Sequence, residues 1–139
     1  MACLLAGAQA QILHPVKWSY AAKKASKTEA VVFLKATIED GWHIYSAYQK
    51  EGGPVPTSIT FTPSTAYSLY GKLEEPKPAT RREDAFNMDV SYFEHEVIFK
   101  QHVRLNLSKP DIKGTLKFMA CNDHQCLPPE TVNFNILVK

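Results

Sequence analysis

Apolar and polar positions alternate along this chain with a period of two. "AVVFLKATI" (30–38) is β-branched and apolar, "TSITFTP" (57–63) alternates around Ile59 and Phe61, and "VSYFEHEVIFKQHVRLNL" (90–107) keeps the alternation over a long stretch. "TLKFMAC" (115–121) and "TVNFNILV" (131–138) repeat the pattern, and Lys109-Pro110-Asp111 and Lys113-Gly114 read as turns between them. Helical periodicity is weak, and no internal repeat or low-complexity segment interrupts the runs. Nine prolines, most of them between these segments, suit short strands joined by irregular loops. The pattern predicts an all-β fold, an immunoglobulin-like antiparallel β-sandwich of two packed sheets forming a single domain.

Length and charge narrow the function classes. A chain of 139 residues supports one domain, which buries roughly two-thirds of the unfolded surface. No stretch approaches the ~20 apolar residues of a membrane helix, so no membrane span is expected in this chain. The formal charge is only +2 and the basic pairs Lys23-Lys24 and Arg81-Arg82 read as solvated surface, so a nucleic-acid partner is not expected. Glu74-Glu75 and Glu83-Asp84 lie among prolines and arginines and read as solvated loop, and Glu130 as a turn cap. The leader "MACLLAGAQAQ" carries a short apolar run and then Ala8-Gln9-Ala10, a small-x-small pattern of the kind signal peptidase cuts. Residues 1–10 therefore read as a signal-peptide remnant, residues 11–139 as the domain, and the location as exported. Maturation near Gln11 removes Cys3 and leaves Cys121 and Cys126 as an even pair.

That pair sits in "FMACNDHQCLPPE" (118–130). An immunoglobulin disulfide usually joins distant strands across the two sheets, whereas this one would be local. Closing a loop of about six residues stabilises by roughly 2 kcal/mol, against more than about 4 for a loop of about 100, so a staple here would be weak. Two thiols at a strand end, in a turn closed by Pro128 and Pro129, reach bonding geometry only when the loop is suitably bent, as a reversible couple requires. A charged His124 beside them would lower a thiol pKa, and Asp123 would act in the opposite sense. A metal site of Cys121, Cys126 and His124, with His43 or His95 reaching in, offers ligands for copper(I) or zinc, although the C-x4-C spacing is wider than the tightest zinc pattern. Redox couple, metal clip and local staple all remain open on the residues alone.

The same segment, with "GWHIYSAYQ" (41–49) and "EDAFNMDVSYFE" (83–94), resembles the periplasmic N-terminal domain of the thiol:disulfide interchange protein DsbD family. The resemblance covers nearly all of the chain after the leader, and its most specific part is the pair followed by Leu127-Pro128-Pro129-Glu130. It implies an immunoglobulin-like fold and a protein-disulfide reductase-type electron carrier in the periplasm. Such a carrier takes electrons from a thioredoxin-like domain and passes them to disulfide isomerases and cytochrome c maturation factors. It further implies Cys121 and Cys126 as the redox pair, Cys126 as the sulfur that forms mixed disulfides, and Asp84 and Phe86 in a cap loop over both. Read without the resemblance, Phe86 is a core aromatic. Tyr45 matches an aromatic of the site floor, and His43 stands where a second tyrosine is usual.

Two departures accompany the resemblance. Four residues separate the cysteines where better-known members have five, and no thioredoxin-like domain follows Lys139, so the donor is expected on another chain. No nicotinamide, flavin or haem motif occurs, and thiol-disulfide exchange needs no cofactor. The alternative class is a non-redox binding module, which would hold copper or zinc or present a sheet edge to a protein partner beside a structural disulfide.

Overall fold

Residues on one face of a strand recur every second position, so the alternating runs should each supply one row of a core. The computed structural model describes residues 13–139, and the expectations for residues 1–10 and Cys3 lie outside them. In chain order the strands are β1 (Val16–Lys24), β2 (Glu29–Ile38), β3 (His43–Tyr45), β4 (Ser58–Phe61), β5 (Tyr67–Glu74) and β6 (Ala79–Glu83). They continue as β7 (Met88–Phe93), β8 (Glu96–Leu105), β9 (Asp111–Phe118), β10 (Ala120–Cys121) and β11 (Glu130–Leu137). Every ladder is antiparallel, and the described residues contain no helix long and apolar enough to cross a membrane.

Among the described residues three hydrogen-bonded sheets form, ordered β1-β2-β8-β5, β10-β3-β7-β6 and β11-β9-β4, where the pattern predicted two. The extra division arises because one stretch of chain serves two sheets: β9 pairs with β4 and β11, and β10, one residue later, pairs with β3. Val32, Leu34, Ala36 and Ile38 of β2, with Val97, Phe99, Val103 and Leu105 of β8, pack against Ile112, Leu116, Phe118, Phe134 and Ile136. Trp18 and Tyr20 of the edge strand β1 lean over the seam, their ring centroids 5.6 Å from Phe118 and 5.6 Å from Phe134. A second, smaller cluster of Tyr45, Val90, Met119 and Cys121 lies in the β10-β3-β7-β6 sheet.

Local chemistry explains where this differs from the pattern. The run 90–107 is two strands in two sheets, because His95 takes a left-handed conformation (φ 64°) and its carbonyl accepts from the Ile38 amide at 2.8 Å. Lys113-Gly114 is not a turn but the middle of β9, with Gly114 in register between Phe61 and Phe134. A Cβ on Gly114 would lie 2.3 Å from the Thr60 carbonyl oxygen and 2.6 Å from the Phe134 ring, so the glycine is required by close approach. β1, β3, β5 and β6 extend the strand set beyond the alternating runs; β5 carries a bulge at Gly71 (φ 75°), and β6 is the polar edge segment "ATRRE".

Gly114→Ala should therefore lower the urea denaturation midpoint, by a free energy of about 1–3 kcal/mol for overpacking. An unchanged midpoint would mean that β4 and β11 yield without cost.

Candidate functional site

Residues 118–121 are buried without a break, and the reason is that this stretch lies between two clusters. Phe118 and Ala120 face the main core, while Met119 and Cys121 face the smaller one. β3 opposite is arranged in the same way, with Ile44 in the main core and Tyr45 in the smaller cluster. The two-residue ladder sets Ala120 against Ile44 and Cys121 against His43, so the cysteine and histidine are cross-strand neighbours.

Beyond Cys121 the chain reverses over Asn122 to Gln125, and Cys126 returns to bridge Cys121 in antiparallel fashion. The two are joined by a disulfide, with Cα atoms 4.0 Å apart. Cys121 is buried and Cys126 is exposed. The reversal is closed by Asn122 and not by the prolines. Its Oδ1 accepts from the amides of His124 and Gln125, both at 2.8 Å, and its own amide donates to the Gln125 carbonyl at 2.8 Å. Leu127 then donates to the Ala120 carbonyl at 2.9 Å, which places Pro128 and Pro129 after the turn. Glu130 opens β11 and lies 3.8 Å from His14.

The β6–β7 hairpin carries the other side of the site. Its tip is held by Phe86 donating to the Glu83 carbonyl at 3.2 Å, and Asn87, at φ 52°, donating to the Asp84 carbonyl at 3.1 Å. Asp84, Ala85 and Phe86 line a cleft of about 450 Å³ together with Cys121, Cys126 and the residues between them. Phe86 is half-buried, packs on the smaller cluster, and meets the Tyr45 ring edge-on at 6.5 Å. The Asp84 side chain is 97% exposed, and its carboxylate lies 3.5 Å from Arg82.

Beneath the cleft lies a buried polar group that corrects two surface readings. Glu83 accepts from Tyr45 Oη at 3.1 Å and from Arg81 at 3.1 Å, and lies 3.2 Å from His43 Nε2, with its side chain only 16% exposed. It is not solvated loop, and Arg81, stacked over Tyr92 at 4.5 Å, is not free surface. The single phenolic proton of Tyr45 goes to Glu83, so the 2.9 Å contact between His43 Nε2 and Tyr45 Oη places an imidazole proton on Nε2. Burial, followed by the charge and hydrogen bond of Glu83, raises the Tyr45 phenol above its ordinary value and keeps it protonated. Burial and then the Arg81 charge lower the His43 pKa, against the opposing pull of Glu83.

Glu75 is likewise built in, accepting from Ser46 Oγ at 2.6 Å and the Ala47 amide at 2.8 Å. Glu74 pairs with His102 at 2.7 Å on the surface of β5. The histidines considered as metal ligands separate. His124 lines the cleft on the exposed tip, His43 is committed to Tyr45 and Glu83, and His95 sits at the β7–β8 corner 3.5 Å from Asp40. Among the described residues no three His, Cys, Asp or Glu side chains converge as a metal site. Sequence reasoning missed Glu83, Arg81 and Asn122; an Asn directly after the first cysteine, two and three residues before the amides it caps, was the available signal.

Over residues 9–137 the chain matches the family described as thiol:disulfide interchange protein DsbD, N-terminal. No curated protein matches it. Among solved structures it resembles the Neisseria meningitidis DsbD N-terminal domain in the reduced form, with TM-score 0.56, 18% identity, and coverage of 84% of this chain and 82% of that one. It also resembles the structure of the complex between the DsbD and PilB N-terminal domains from the same organism, with TM-score 0.60, 18% identity, and coverage of 90% and 87%. The N-terminal periplasmic domain of ScsB from Proteus mirabilis gives TM-score 0.57 and 20% identity over 86% of this chain, which spans 44% of that one. These likenesses establish a shared immunoglobulin-like sandwich, and the match over 9–137 settles the lineage: the chain belongs to the family of DsbD N-terminal domains.

Proposed function

We propose that this domain relays electrons by thiol-disulfide exchange through Cys121 and Cys126, in the periplasm or an equivalent exported compartment. The observation that carries the reading is the unequal burial of the two bonded sulfurs' residues, Cys121 inside the smaller cluster and Cys126 exposed on a cleft. A donor thiolate attacks Cys126 Sγ, the Cys121–Cys126 bond breaks, and Cys121 leaves as a thiolate that takes up a proton. The donor's second thiol then attacks the donor sulfur of the mixed disulfide and releases Cys126. Two electrons and two protons have moved, leaving the donor oxidised and this pair reduced. The reverse sequence delivers them to an acceptor disulfide. The family supports a thioredoxin-like donor and disulfide-containing acceptors as partners, and a DsbD N-terminal domain held in complex with another protein's N-terminal domain supports docking of this kind. Phe86 serves as cap, Asp84 as part of its turn, and His43 and Tyr45 as floor.

Equilibration in a glutathione or dithiothreitol series, read by thiol alkylation, tests the couple. A potential between roughly −300 and −120 mV is expected, and a pair resistant far below about −300 mV would be a structural staple. Cys121→Ser should form a mixed disulfide when its Cys126 thiolate attacks the disulfide of an oxidised partner, displacing that partner's other sulfur as a thiolate, and Cys126→Ser should not.

Phe86→Ala should speed reaction of the pair with glutathione. Its stability cost should fall below the about 3 to 5 kcal/mol of a core Phe→Ala change, because the ring packs on one side only. Unchanged reactivity with the full loss of stability would make Phe86 an ordinary core residue.

The lowered pKa of His43 has a stability consequence with a definite sign. Below about pH 6.5 the unfolded chain binds a proton at this position that the folded chain resists, so stability falls as pH drops through that value, until the folded pKa is reached. His43→Gln should therefore narrow the difference between urea midpoints at pH 7 and pH 5. An equal or larger difference in the variant would remove His43 as its source.

A further inference from the structure

The four residues between the cysteines form a tip whose curvature one side chain sets. In a plain two-residue hairpin the Gln125 amide would donate to the main-chain carbonyl of Asn122. Here it donates at 2.8 Å to the Asn122 side-chain oxygen, which also takes the His124 amide at 2.8 Å. The Asn122 amide returns a bond to the Gln125 carbonyl, and Leu127 closes the next rung to Ala120. None of these bonds involves a sulfur atom, so none needs to be lost when the disulfide is reduced.

We infer that Asn122 is the positioning residue of the couple: it holds the reduced loop in the curvature at which Cys126 faces Cys121, and so sets how readily the dithiol closes. The inference rests on the exchange function proposed above and deepens it. With oxidised glutathione as the oxidant, closure converts two protein thiols and one glutathione disulfide into the Cys121–Cys126 disulfide and two glutathione thiols. A first thiolate opens the glutathione disulfide, and the second displaces the bound glutathione. Only the second step is intramolecular, and its rate and equilibrium depend on how often the two cysteines face each other. A side chain that closes the turn in the dithiol raises that fraction. Asn122 makes its hydrogen bonds to main-chain groups of the tip and does no bond-breaking itself.

The test compares Asn122→Ala and Asn122→Asp with the unaltered chain, in a glutathione series at pH 7 and in single-turnover closure of the mixed disulfide. Asn122→Ala removes the acceptor, so the closure equilibrium should fall about tenfold. That moves the potential about 30 mV in the less negative direction, and the second step should slow similarly. Asn122→Asp keeps an acceptor oxygen at the same position and should stay within about threefold of the unaltered chain. The urea midpoint of the reduced protein should be nearly the same in all three, because the tip lies outside both clusters. An Asn122→Ala variant that folds and closes with unaltered equilibrium and rate overturns the inference, as does an equal shift in Ala and Asp. Failure of the exchange function would appear separately, as an unaltered chain whose potential lies outside the exchange range.

Discussion

A single strand that changes sheets within one residue organises this molecule. Up to Phe118 the chain belongs to the β11-β9-β4 sheet, and from Ala120 it belongs to the β10-β3-β7-β6 sheet. The crossing is possible because β10 and β3 present apolar or satisfied side chains on both faces, one toward the main core and one toward the smaller cluster. Cys121 is thereby fixed on the second face, in register with His43, before any disulfide is considered. A displacement of one residue would turn Cys121 into the main core and Ala120 into the site, since successive side chains alternate. The main core therefore specifies which sulfur is buried.

Glu83 links the two halves of the site. Its carboxylate ties Tyr45, His43 and Arg81 beneath the cleft, while its main-chain carbonyl accepts from Phe86 and holds the hairpin tip above it. Buried polar groups are costly when unpaired, and here the carboxylate finds Arg81 and a phenolic donor while the imidazole faces both. The floor and the tip are thus coupled through one residue.

The legible parts of the sequence were those governed by strand period. The buried rows of β8 and β11, and that of β9 from Thr115 on, follow from alternation, β2 was legible as a β-branched apolar run, and the continuous apolar run at 118–121 was already visible as strand. Position in the fold decided the rest. Arg81 and Glu83 look like surface residues because β6 is a polar edge strand, and only the tertiary neighbours Tyr45, His43 and Tyr92 bring them partners. Lys113-Gly114 looks like a turn because glycine usually marks one, yet here it yields room to the Thr60 carbonyl and the Phe134 ring on the strands to either side. The prolines at 128 and 129 look like the stop of the cysteine turn, but an asparagine side chain had already closed it.

The cysteine tip stands clear of everything the fold depends on. Its pairing ends in the Asn122 amide bonded to the Gln125 carbonyl, and the residues from Asn122 to Gln125 belong to neither cluster. Lengthening such a tip adds little closure entropy and displaces no packed side chain. Loop length is therefore a free variable of this scaffold, open to change by a single inserted codon while the sandwich stays as it is. The span between the two sulfurs can thus change while every position of the main core stays as it is.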